Sequence, residues 1–280
     1  MAKPNKDELK KVLKEASKNL FKEEGEIKKD FSTEENETIE EWKKQNLIKI
    51  EITEFQTAKE LLKVTLKGFS NATLLTGEGG IGKSLLTIET IKENINNDDW
   101  VYQSGFTTGL SLFKYLYHNR NKKIIVLDDV ELFQDNKIIN ILKSALWDID
   151  KKRLIYYQST SDKLDVPSVF ELQAKLIILC NTIPNEDDKE VSALLSRVIK
   201  YEINFSYKQK LEIIQQIINS KKDLSKEQKI RIMEIIQKST NEATKNFNFR
   251  TLEKLIAFIK YDNSKAEDLF KEILETDERI

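Results

Sequence analysis

The chain has 280 residues, 46 Lys and Arg against 47 Asp and Glu, and a formal net charge of −1; a third of it is charged and 39% is hydrophobic. That composition suits a globular protein with one large α/β domain and a small second one, and its neutrality argues against a broad basic face for coating nucleic acid. A single Cys (Cys180) and a single His (His118) exclude an internal disulfide and a zinc knuckle, and leave His118, in a polar stretch, as the only base for a Ser-His-Asp triad.

Residues 1–45 are charge-rich, with Leu9, Val12, Leu13, Ala16 and Leu20 at helical spacing and Ser32 and Glu35 in a capping-box pattern. They read as a solvated helical extension or as an arm that docks a partner protein. Met1 leads into charge, not into a signal-peptide core, and no apolar run approaches the roughly 20 residues of a membrane span, so a cytoplasmic protein with no membrane partner is expected.

From residue 46 the pattern changes. Leu47–Ile52 alternates like a strand, and Glu54–Lys67 reads as a helix. Short apolar runs follow at Ala72–Thr76, Trp100–Gln103, Ile124–Leu127, Leu176–Cys180 and Val198–Ile203, separated by helical stretches. This alternation predicts an α/β domain over 46–205, a parallel sheet sandwiched by helices. Between the third and fourth runs, Arg153–Tyr157 and Val169–Leu172 flank a polar turn and predict an inserted hairpin. After residue 205 strand signals stop, and four helical stripes predict a small all-helical domain over 206–280. The stripes begin with Tyr207, Leu211 and Ile214, and Ser225 and Gln228 form a capping box ahead of the second.

The strongest chemical signal is Gly77-Glu78-Gly79-Gly80-Ile81-Gly82-Lys83-Ser84, a full match to G-x-x-x-x-G-K-[ST] between an apolar run and a helical one, with Leu85 next. Glycines let backbone N–H groups turn in on phosphate oxygens, and the helix N-terminus adds positive potential. Lys83 can reach the β- and γ-phosphates of ATP, and Ser84 can offer a hydroxyl to Mg²⁺. The run Ile124–Leu127 ends in Asp128 and Asp129. There the first acid can hold Mg²⁺ and the second can polarise an attacking water; the other reading is an N-cap Asp after a strand. Asn181 ends the Leu176–Cys180 run, where it can bond the γ-phosphate or simply form a turn before Ile183-Pro184.

In this order the signals resemble the AAA+ ATPases over roughly residues 46–262. The resemblance makes Gly77–Ser84 the Walker A loop, Ile124–Asp129 the Walker B strand and Asn181 the sensor 1 residue. Leu194-Leu195-Ser196-Arg197-Val198 resembles the arginine-finger segment that points into a neighbouring subunit's nucleotide, and Arg250, in Asn248–Leu252, falls where the family places its sensor 2 arginine. The helical domain becomes the lid. Lys outnumbers Arg 40 to six, so two of the few guanidinium groups stand where a planar, permanently charged fork is needed. The alternative for Arg197 is a helix end paired with Glu190. The second Walker B acid departs from the usual Glu: Asp129 is one methylene shorter, as in some replication-initiator and helicase-loader ATPases, which points to slow or partner-stimulated hydrolysis, with Glu131 a further candidate base. An Asn-Lys-x-Asp guanine motif is absent, and Arg is scarce over 130–190, against a GTPase and a small-molecule kinase.

A finger acting in trans implies a homo-oligomer, a hexameric ring or spiral by resemblance. Phe106, after the second strand, and Lys163, in the turn of the inserted hairpin, are the substrate-contact candidates. The hairpin resembles the pre-sensor 1 hairpin of ring helicases, whose Lys touches a nucleic-acid backbone, although Lys163 also fits a solvated loop. The first expectation is an ATPase that remodels or translocates DNA: a replication helicase, helicase loader or related factor of a phage or mobile element. The bare module fits that use. The second is a protein-remodelling ATPase gripping a polypeptide with Phe106, its substrate chosen by residues 1–45. The third is an ATP-switched scaffold.

Overall fold

The computed structural model describes residues 53–105, 108–128, 133, 135–158 and 165–276. They form two compact units, divided between Asn204 and Phe205.

The first unit opens with α1 (Thr53–Leu66), which buries Ala58 and Leu62 and is tied to β1 by a 2.7 Å hydrogen bond between the Thr65 and Thr73 hydroxyls. Then follow β1 (Ala72–Thr76), α2 (Lys83–Asn94), β2 (Trp100–Ser104), α3 (Gly109–His118), β3 (Ile124–Asp128), α4 (Asn136–Leu146), β4 (Leu154–Tyr156), β5 (Val169–Glu171), β6 (Lys175–Leu179), α5 (Lys189–Leu195) and β7 (Ile199–Glu202). Five strands make one sheet in the order β2-β3-β6-β1-β7, and every pairing is parallel. Strands β1 and β3 are buried along their whole length and β6 nearly so, which is why the sequence shows them as unbroken apolar runs: helices cover both faces. Edge strands β2 and β7 are half-exposed and mix polar with apolar residues. The expected α/β sandwich is what the structure has. The strand expected at Leu47–Ile52 and the extension over residues 1–45 lie outside the described residues.

The inserted hairpin is also present. Strands β4 and β5 pair antiparallel, with Ile155 opposite Phe170 on the buried face and Tyr156 opposite Val169 on the exposed one. Phe170 packs against the rings of Phe113 and Tyr117 on α3, at centroid distances of 5.1 and 5.4 Å. Arg153, only 4% exposed, pins the base of the hairpin. Its guanidinium donates to the carbonyls of Ala145 (3.2 Å), Ala174 (2.9 Å) and Gln173 (2.7 Å), joining the last turn of α4 to the residues leading into β6. Burial lowers its pKa from the ordinary arginine value, and the Asp148 and Glu171 charges oppose that shift.

The second unit is helical: α6 (Tyr207–Ser220), α7 (Lys226–Ser239), α8 (Phe249–Tyr261) and α9 (Ala266–Thr276). Ile214, Ile218, Ile232, Ile235, Ile236, Leu252, Leu255 and Phe270 fill its core. Among the described residues no helix is long and apolar enough to cross a membrane.

Candidate nucleotide site

Strand order decides what stands next to what. Because β6 lies between β1 and β3, their C-terminal ends form one row: Leu75 pairs with Leu179, Leu179 with Asp128, and Asp128 with Ser104. The loop after β1, the residues just after β6 and the last residue of β3 therefore meet at one edge of the sheet, where open α/β folds bind ligands.

The Gly77–Ser84 loop joins β1 to α2, as its strand–loop–helix pattern requires. Gly77, Gly80 and Gly82 have φ of 136°, 79° and 94°, a region that favours glycine. At Gly77 a side chain is excluded twice over, since a Cβ there would lie 2.3 Å from the Ile203 carbonyl oxygen. The helix that follows starts differently from its neighbours. Helices α3 to α8 each have a side-chain N-cap, from Thr108, Asp135, Asp188, Ser206, Ser225 and Asn248. Helix α2 starts at left-handed Gly82 with no side-chain cap, an arrangement in which a helix start can receive an anion.

Lys83 is 6% exposed and its ammonium is folded into the loop. It donates to the carbonyls of Gly77 (2.7 Å) and Glu78 (3.0 Å) and to Asn181 Oδ1 (3.0 Å). A phosphate oxygen is a stronger acceptor than any of these neutral groups, so the cation is poised for an anion. Asn181 is bound to the loop twice, because its backbone carbonyl also accepts from Gly77 N–H at 3.2 Å. Asp128 is 4% exposed, and its carboxylate accepts a hydrogen bond from the Tyr102 hydroxyl on β2. It does not cap the next helix; Asp135 does.

These groups fit Mg²⁺ bound together with a nucleotide. A carboxylate and a hydroxyl, from Asp128 and Ser84, are hard oxygen donors, and Mg²⁺ in such sites takes its remaining ligands from phosphates and water. Among the described residues no group of three or more His, Cys, Asp or Glu can hold a metal by itself, and this arrangement needs none.

The remaining candidates are placed separately. Arg197 lies just past α5, its guanidinium 5.1 Å from the centre of the Trp147 ring. The alternative pairing with Glu190 is not found: Glu190 pairs with Lys143 on α4. Arg250 is an exposed residue in the first turn of α8, its N–H held by the Asn248 side chain. Asp129, Glu131, Phe106 and Lys163 lie outside the described residues. Sequence reading missed Tyr102, Trp147 and Arg153. For Arg153 a signal existed, since each Arg in so Lys-rich a chain is worth accounting for; for Tyr102 and Trp147 none did, because their roles depend on neighbours distant in the chain.

The phosphate-type loop and the β6-between-β1-and-β3 order define a P-loop α/β fold of the kind found in AAA+ proteins. Two solved structures support that directly, and both are RuvB from Thermotoga maritima. A RuvB variant aligns over 80% of this chain and 69% of its own with a TM-score of 0.51 at 15% identity. The RuvB Holliday junction branch migration motor aligns over 78% of this chain and 68% of its own, with a TM-score of 0.50 at 18% identity. In sequence the chain is similar to an uncharacterized 36.7 kDa protein of the nrdC–mobD intergenic region of Enterobacteria phage T4, 24% identical over 162 residues. That match spans 53% of this chain and about half (49%) of the phage protein. No protein-family model matches the chain.

Proposed function

We propose that the protein hydrolyses ATP as an AAA+ ring or spiral subunit and uses the cycle to remodel or translocate DNA, as a replication helicase, helicase loader or related factor. The observation that carries the ATPase reading is the convergence at one sheet edge of an uncapped helix start, the buried Lys83 ammonium, Asn181 and the Asp128 carboxylate.

In this reading the triphosphate lies along Gly77–Leu85. Lys83 exchanges the Gly77 and Glu78 carbonyls for β- and γ-phosphate oxygens, and Asn181 is freed to bond the γ-phosphate or the water that attacks it. Ser84 and Asp128 would hold Mg²⁺, which would supply neutralising positive charge to the phosphates. Asp129 accepts the proton of the attacking water. Arg197 completes the site of a neighbouring copy, and Arg250 contributes a second guanidinium from the helical lid. Charge stabilisation by such groups is the main catalytic resource in phosphoryl transfer.

DNA as the substrate is supported by the resemblance to replication ATPases, by a fold shared with a branch migration motor, and by the β4–β5 hairpin, whose exposed Tyr156 can stack on a base. One Lys163 per subunit around a pore would grip phosphates without a basic overall charge. Residues 1–45 would dock a replication protein. The second reading, a protein-remodelling ATPase, has Phe106 as its grip.

ATP turnover measured with and without single- and double-stranded DNA, alongside mass measurement in a non-hydrolysable nucleotide, tests the proposal. DNA-stimulated turnover and nucleotide-dependent assembly are expected. If Lys163→Ala leaves DNA binding and stimulation unchanged while Phe106→Ala abolishes activity, the protein-remodelling reading takes its place. Unaltered turnover in Asp129→Asn would remove Asp129 as the base.

A further inference from the structure

Trp147 is a large apolar side chain left 53% exposed at the C-terminal end of α4. Exposure of a Trp has a reason when its backbone cannot retreat, and here it cannot. Asn71 Nδ2 donates to the Leu146 carbonyl (3.2 Å) and to Asp148 Oδ2 (2.8 Å), one residue on either side of Trp147. Beyond them, Ile149 and Lys152 close a tight turn through two 2.9 Å backbone bonds, with Asp150 and Lys151 at positive φ, and the buried Arg153 fork follows at once. The indole is thus presented on a fixed ledge.

Arg197 occupies that ledge. The helix before it, α5, is fastened to α4 by the Lys143–Glu190 ion pair and by buried Val191 and Leu194. Two residues later the guanidinium lies over the Trp147 ring, and it makes no ion pair among the described residues. A guanidinium stacked on an indole keeps its charge and its hydrogen-bond donors pointing outward, whereas a carboxylate partner would neutralise the one and occupy the other.

We propose that Trp147 is the positioning residue for the arginine finger: it holds Arg197 extended and unneutralised for the nucleotide of a second copy of this chain, and that copy covers the exposed part of the ring when it takes the finger. This rests on the finger reading of Arg197 given above. The occupant follows from the geometry, since a surface that receives Arg197 must also approach a ring 5.1 Å from it.

The test uses the full chain and four variants, Trp147→Ala, Trp147→Phe, Arg197→Ala and Lys83→Ala, with steady-state ATP turnover, thermal unfolding and subunit mixing. Trp147→Ala is expected to lower kcat about 5-fold to 10-fold with KM for ATP held, because a site's own nucleotide contacts are untouched. Trp147→Phe, which keeps an aromatic face, should restore most of the loss without a change in unfolding temperature. Mixing Trp147→Ala with an excess of Lys83→Ala should raise turnover, since the latter carries a well-held finger and the former an intact phosphate loop; a purely structural role of the indole would not respond to mixing. Parental kcat in Trp147→Ala while Arg197→Ala is inactive overturns this proposal and leaves the finger reading standing, as does failure of mixing to recover turnover. Parental turnover in Arg197→Ala overturns the finger reading and this proposal with it.

Discussion

The two units solve the same local problem in different ways. Every helix start leaves N–H groups without intrahelical partners. In the helical unit, α6, α7 and α8 each close theirs with a reciprocal capping box, Ser206 with Gln209, Ser225 with Gln228 and Asn248 with Thr251. In the α/β unit, α2 starts behind left-handed Gly82 with no side-chain cap, and the buried Lys83 ammonium is folded into the same loop. The difference separates structure from function: a side-chain cap stabilises the fold, and a helix start without one, next to a cation, suits an anion. The α/β unit also carries a buried long-range pin, Arg153, whose fork joins α4 to the residues leading into β6.

The largest expected effect lies at the uncapped helix start. Lys83→Ala should lower ATP turnover by about 100-fold or more, because the residue's proposed work is on the phosphates, and should also lower the unfolding midpoint through the loss of its three bonds in the loop. A turnover near the parental level would erase the contrast between α2 and its capped neighbours. Next comes the long-range pin. Arg153→Leu leaves the Ala145, Gln173 and Ala174 carbonyls without their donor in a buried place and should cost about 3 kcal/mol in denaturant unfolding. Arg153→Lys should recover only part of that, since an ammonium lacks the planar fork. A cap in the helical unit is worth less: Ser225→Ala should cost about 1 kcal/mol and leave turnover unchanged.

The smallest effect concerns acid. Among the described residues, Asp223, Glu227, Asp262 and Glu267 of the helical unit have pKa values below their ordinary ones, held there first by bonds from Lys260, Ser225, Ser264 and Lys271 respectively. In the α/β unit the same holds for Glu60 and Asp165, through Lys63 and Lys114. A carboxylate with a lowered folded pKa contributes stability that is complete above its unfolded value, near 4, and is lost as pH falls through the folded one. Hydrogen-exchange protection between pH 5 and pH 3 should therefore fall slightly more in α6–α9 than in the sheet. The effect is small because these groups are solvent-screened. Equal loss in both units would show that such pairs carry none of the difference.

Much of this was legible along the chain because the forces involved are local. Buried parallel strands must be apolar on both faces, so β1, β3 and β6 appear as continuous runs within a residue of where they form. The Gly77–Ser84 loop is recognisable because its backbone conformation admits few other residues. The Ser225–Gln228 box is complete within four positions. The role of Arg153 was less legible: its rarity of type was visible, but the three carbonyls it serves lie on segments brought together only by the hairpin and α4.

The sequence by itself therefore determined the elements, their order and the chemical identity of the loop, since each follows from the side chains and backbone freedom of neighbouring residues. Tertiary structure alone decided who stands beside whom. Placing β6 between β1 and β3 set Asn181 against Lys83, at a separation of 98 residues. The pairing of β2 with β3 brought the Tyr102 hydroxyl to Asp128, and the packing of α5 on α4 laid Arg197 over Trp147. No periodicity or motif encodes such pairs, because they depend on crossover connections and helix packing, which are settled only when the whole sheet is covered.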